Sequence, residues 1–248
     1  VPSKISGADL IETFRATNAD TWFVPENHTR KEFGEDLAQL LLRYVRFHEL
    51  YHCLNGHVGF LQQFDQRAAL HESPAAETAL VKRLREATSS LPADTRQLME
   101  LDADRTALWA CFKVQTDGIE NIRSIAERSL EHRLHLTLFS ACLMTVLFDH
   151  VAPRADGNEP HSHPRAEIRL HNFIRTVASQ LAPQIGDVRP LFLSVMRDMQ
   201  ALRTSFPALP DIEALYADLM SPETQTPMDA AEEQLDEARK QWEPYAYT

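Results

Sequence analysis

Residues 31–54 read KEFGEDLAQLLLRYVRFHELYHCL. Within them Phe33, Leu37, Leu41, Tyr44 and Val45 recur at steps of three and four, the period at which side chains return to one face of an α-helix. His48 and His52 extend that stripe, so two imidazoles stand one turn apart on the apolar face. Asn55 and Gly56 follow, and both tolerate the left-handed conformation common just past a helix end. A helix over about Lys31–Leu54 is therefore expected, with the histidines near its C-terminal end.

The rest of the chain agrees with a helical class. Its 248 residues, 44% of them hydrophobic, are enough to bury a sizeable core. Only 7 glycines occur, and Ala, Leu, Glu and Arg dominate over β-branched runs, so the propensities favour a mainly α protein with little β-structure. Further helices are expected over Ala8–Asn18, Pro74–Thr88, Asp94–Gln115, Glu120–His150 with a break, Ala166–Leu181, Val188–Arg203, Asp211–Met220 and Met228–Trp242. A shorter segment runs from about Val58 to Leu70, and Thr21–Pro25 (TWFVP) is the best strand candidate. Ala152–Pro164 (APRADGNEPHSHP) reads as a loop, because its prolines interrupt any helix. There is no internal repeat. Residues 1–206 are expected to form one compact domain and residues 207–248 a helical appendage, whose last helix begins with an acidic, solvated stretch.

Charge and apolar length narrow the partners. Lys plus Arg number 25 against 36 for Asp plus Glu, a net charge of -11, which repels a phosphate backbone; no nucleic-acid partner is expected. The most apolar stretch, Leu136–Phe148, falls short of the roughly 20 residues a transmembrane helix needs, so it is read as a buried core helix. Cys53, Cys111 and Cys142 are odd in number and set in apolar surroundings, a pattern that suits free thiols in a reducing cytoplasm. Position 1 is Val rather than Met and no basic stretch precedes an apolar one, so a processed or trimmed form without an export signal is expected.

The chemistry centres on His48-Glu49-Leu50-Tyr51-His52, an H-E-x-x-H sequence. Two histidines one helical turn apart can share a single tetrahedral Zn2+, and Glu49, beside the first ligand, is placed to take a proton from a water activated by the metal. Catalytic zinc sites keep three protein ligands and one open position, which requires a third ligand from another segment. Glu100 is the candidate. On a helix it shares a face with Asp104, Ala107 and Cys111; the small Ala103 and Ala107 allow close helix approach, and Asp104 can orient a ligand histidine by accepting its second N–H. Asp102 falls off that face and is expected to be exposed.

These residues carry a resemblance. HELYH followed by ELDADRTALW (residues 100–109) resembles the H-E-x-x-H plus E-x-x-A-D arrangement of gluzincin metallopeptidases. Ser162-His163-Pro164-Arg165-Ala166-Glu167-Ile168-Arg169-Leu170 is similar to a segment of the HtpX and CAAX-prenyl-protease family, and HELYH-x-x-x-GH, ending at Gly56 and His57, resembles the Lit-like phage-exclusion peptidases. The resemblance implies a helical zincin-like domain, with the H-E-x-x-H helix and a second metal-ligand helix at its centre. It implies that His163 donates a hydrogen bond to the tetrahedral intermediate, with His161 as the alternative donor on the same loop. Arg169 is implied to anchor the site or the substrate backbone. The activity implied is that of a cytoplasmic zinc metalloendopeptidase with a protein or peptide substrate. This chain lacks the several membrane spans of the HtpX-like enzymes, and a membrane substrate is not implied.

Two other readings start from the same residues. One is a metal-binding regulatory or interaction protein resembling the ImmA/IrrE group, which also joins H-E-x-x-H to a downstream acidic helix. The other is an all-helical structural protein without metal.

Overall fold

The computed structural model describes residues 28–65, 93–151, 164, 166–205, 211, 212, 214, 217 and 233–247. The chain forms two compact units, Val1–Ala38 and Gln39–Thr248; the described part of the first, residues 28–38, is helical. The segment after residue 206 belongs to the second unit. The helix expected over Ala8–Asn18, the strand over Thr21–Pro25, the helix over Pro74–Thr88 and all of the Ala152–Pro164 loop between Val151 and Pro164 lie outside the described residues.

The fold is mainly α. Among the described residues there is no strand. The helices are α1 (His28–Leu54), α2 (His57–Asp65), α3 (Ala93–Thr116), α4 (Arg123–Ala126), α5 (Leu130–Val151), α6 (Ala166–Thr176), which is prolonged through a π-turn into a single helical turn at Ala182–Ile185, α7 (Arg189–Ser205) and α8, residues 233–242, which runs into a 3-10 turn at Glu243–Tyr245. The break expected within 120–150 falls between α4 and α5, where the Ser129 hydroxyl accepts the His132 N–H at 3.3 Å and caps the first turn of α5. Residues 136–143 of α5 are all buried, as an apolar run in the middle of a core requires. A wider π-turn at Val177–Leu181 follows α6 just before Pro183, which has no N–H to return to the preceding turn.

In the second unit α3 packs against α5 and α6, and α5 against α7. Ala103 and Ala107 on α3 are completely buried, consistent with their role of letting a neighbouring helix approach closely. Leu108 and Phe112 of α3, Leu138 of α5 and Phe173 of α6 are equally buried. A second apolar cluster joins Met99 and Leu101 of α3 to Leu235, Ala238 and Trp242 of α8. The last helix is thus solvated on one side only, and its Trp242 is 1% exposed.

Gly56 turns the chain between α1 and α2 at φ +88°, where a side chain is strained. A Cβ there would also press on the Trp242 carbonyl oxygen and lie 2.7 Å from the Ala246 nitrogen. The Tyr247 N–H donates to the Leu54 carbonyl at 3.1 Å, so the end of the chain lies against the end of the histidine-bearing helix. Cys111 and Cys142 are buried free thiols, whereas Cys53 is free and exposed, contrary to the apolar setting expected for all three. No described helix is long and apolar enough to cross a membrane.

Candidate metal centre

The H-E-x-x-H helix and α3 bring three ligand atoms together. His48 Nε2 and His52 Nε2 are 3.1 Å apart. Glu100 Oε2 lies 3.3 Å from the first and Glu100 Oε1 3.5 Å from the second. His48, His52 and Glu100 therefore form a group able to hold a metal ion. The separations fit that use: ligand atoms about 2.0–2.1 Å from a tetrahedrally coordinated ion stand about 3.3 Å from one another.

The electrostatics point the same way. Two imidazole nitrogens face each other beside a carboxylate in a site largely removed from water, and positive charge placed among them offsets the buried negative charge. A proton serves in the metal-free protein. Burial alone would lower the His48 pKa, but the Asp104 and Glu100 carboxylates outweigh it and raise it to about 10. His52 goes the other way, lowered to about 4 by burial, which the pull of Glu100 does not overcome. One imidazole is charged and its neighbour is a bare lone-pair donor.

Each histidine is backed by a buried carboxylate system. Behind His48 is Asp104, wholly buried, with Oδ1 2.9 Å from His48 Nδ1, an ion-pair distance that lacks the alignment of a full hydrogen bond. Arg169 of α6 donates to both Asp104 oxygens at 2.6 Å, and the Tyr44 hydroxyl donates to Oδ1 at 2.5 Å. Burial raises the Asp104 pKa, but the Arg169 and His48 charges prevail and hold it at about 2. Asp104 thus sits where the second N–H of a ligand histidine needs an acceptor.

Behind His52 the arrangement is longer. His52 Nδ1 is 3.0 Å from His57 Nδ1, and His57 Nε2 is 3.0 Å from Asp102 Oδ2. Asn55 Nδ2 donates to the same oxygen at 2.8 Å, and Arg239 of α8 donates to Oδ1. Asp102 is 1% exposed, which overturns the solvent position expected for it. The face of α3 opposite Glu100 and Asp104 is covered by α8 and by His57, elements far away in sequence.

Of the other site residues read from the sequence, Glu49 is exposed, on the turn between the two histidines. Arg169 is buried and bonds to Asp104. His163 and its alternative His161 lie outside the described residues. The sequence assigns no site role to Tyr44, His57, Asp102 or Arg239. Tyr44 was counted only as part of an apolar stripe and His57 only as part of a Gly-His resemblance, while nothing local marked Arg239. No protein-family model, no curated protein and no solved structure matches the chain.

Proposed function

We propose that the chain is a zinc metallopeptidase of the gluzincin type, hydrolysing peptide bonds of a protein substrate. The observation that carries the reading is the convergence of His48, His52 and Glu100 to within 3.1–3.5 Å, together with a carboxylate at Glu49 in the one position of the H-E-x-x-H turn where a general base is needed. Two imidazoles and one carboxylate are a donor set that suits zinc and leaves a fourth position open. When bound, the ion supplies Lewis acidity for the hydrolysis.

The chain's own residues divide the remaining work. Glu49 takes a proton from the attacking water as its oxygen bonds to the scissile carbonyl carbon, then gives that proton to the departing amine nitrogen as the C–N bond breaks. Asp104 and Arg169 hold His48 in place, and Glu100 contributes the negative charge that balances the cation. As the sequence resemblance implies, His163, or His161 in its place, would donate to the oxyanion.

Glu49→Gln and His52→Ala test the assignment against a panel of unfolded and folded proteins, with metal content measured in parallel. The expected result is one equivalent of zinc and no cleavage for Glu49→Gln, and neither zinc nor cleavage for His52→Ala. Turnover by Glu49→Gln equal to wild type overturns the mechanism. A wild type that holds zinc but cuts nothing in the panel favours the ImmA/IrrE-like regulatory reading instead.

A further inference from the structure

We infer that His57 and Asp102 are positioning residues that dictate which nitrogen His52 presents to the metal, and that Arg239 and Trp242 of α8 lock this pair from outside; the inference rests on the metal-centre reading above. The argument is one of hydrogen-bond direction. A neutral imidazole carries one proton, and the nitrogen without it is the ligand. His52 Nε2 faces His48 and Glu100, so its proton belongs on Nδ1, and Nδ1 lies 3.0 Å from His57 Nδ1.

His57 must then accept at Nδ1 and keep its own proton on Nε2, where it donates to Asp102 Oδ2 at 3.0 Å. The opposite direction fails twice. It would turn a bare His57 nitrogen against a buried carboxylate, and it would put the His52 proton on the nitrogen that faces the ligand triangle. The negative charge of Asp102 therefore selects the tautomer of His52 through His57, as outer carboxylates do for metal-bound histidines.

The rest of the surroundings hold that charge in place. Asn55 and Arg239 donate to Asp102, and the Trp242 ring stands edge-on to the His57 ring at 5.0 Å and 89°. His57 and Trp242 are 0% and 1% exposed, so water cannot take over either hydrogen bond of His57. Helix α8, remote in sequence, is part of the support of the candidate metal centre.

The test uses the full chain loaded with zinc. Zinc affinity is measured by chelator competition for wild type, His57→Phe, Asp102→Asn and Arg239→Lys, with circular-dichroism melting as a check on folding. Affinity 10- to 100-fold weaker is expected for His57→Phe and Asp102→Asn, on the order seen when outer-shell partners are removed, and a smaller loss for Arg239→Lys, which keeps the charge. Imidazole nitrogen NMR of the wild type, which needs no variant to fold, should show His57 as the Nε2–H tautomer and His52 as the Nδ1–H tautomer. Affinities within twofold of wild type, or a proton on His57 Nδ1, overturn the inference while leaving the metal centre standing. A wild type that takes up no zinc overturns the metal-centre reading and this inference with it.

Discussion

Arg169 grips Asp104 through two 2.6 Å hydrogen bonds, joining α6 to α3 directly behind His48. Both side chains are buried, and bidentate pairing of this kind is the strongest form of charged hydrogen bond. Arg169→Met would leave the Asp104 carboxylate buried without its main counter-charge. A loss of about 3–5 kcal/mol is expected from urea unfolding of the metal-free protein. A change below about 1 kcal/mol would show that Tyr44 and His48 are sufficient partners for Asp104.

Metal uptake should displace protons in a number set by the two histidines. His48, raised to about 10, is charged at pH 7.5, while His52, lowered to about 4, is already neutral. A metal ion bound at His48 must replace its proton, so about one proton per ion should be released. The direction follows: apparent affinity falls as pH drops, because more acid favours the proton over the metal. Calorimetry in buffers of different ionisation enthalpy measures the number, and a value near zero would contradict the charge state assigned to His48.

Two glycines with positive φ offer a controlled comparison. Gly56 has φ +88° and is crowded by the backbone of residues 242–246, whereas Gly118 has φ +70° and nothing within 4 Å. Gly118→Ala should cost only the left-handed strain, about 1–2 kcal/mol. Gly56→Ala should cost clearly more than that, because it must also push α8 and its 3-10 turn off the end of α1. Equal losses in thermal melts would mean that the crowding is relieved by a small backbone shift.

The Arg43–Glu120 pair predicts a pH effect away from the metal centre. Arg43 donates to both Glu120 oxygens at 2.6 Å. Burial pushes the Glu120 pKa up, but Arg43, the Ile122 N–H and Gln115 together lower it below the ordinary glutamate range. A carboxyl lowered in the folded state contributes stability that is present above the unfolded value, about 4.3, and lost as pH falls through the folded one. Wild type should therefore exceed Glu120→Gln in urea midpoint at pH 7, with the gap narrowing as pH falls below the unfolded value, about 4.3. A gap that stays constant down to pH 3 would remove the linkage.

Local pattern sufficed for α1, α3 and α5 to α7 and for the grouping of His48, His52 and Glu100. The three- and four-residue steps from Phe33 to Val45 predicted α1, and the observed helix, His28–Leu54, contains the whole of that stretch. Glu100 and Asp104 were readable because helical spacing alone puts them on one face, and Asp104 lies against His48 as that spacing suggested. Helical periodicity is a property of neighbours within one turn, so a sequence displays it directly.

What the tertiary structure alone decided is the second half of the centre's support. Asp102 looked solvent-bound because periodicity says which residues share a face, and is silent on what covers the opposite one. That cover comes from His57, beyond the α1 turn, and from Arg239 and Trp242, in a helix whose acidic start resembled a free surface. Contacts between α3 and α8 form only when the chain closes on itself, and the physical cause of Asp102's burial is that closure rather than any feature within its own helix.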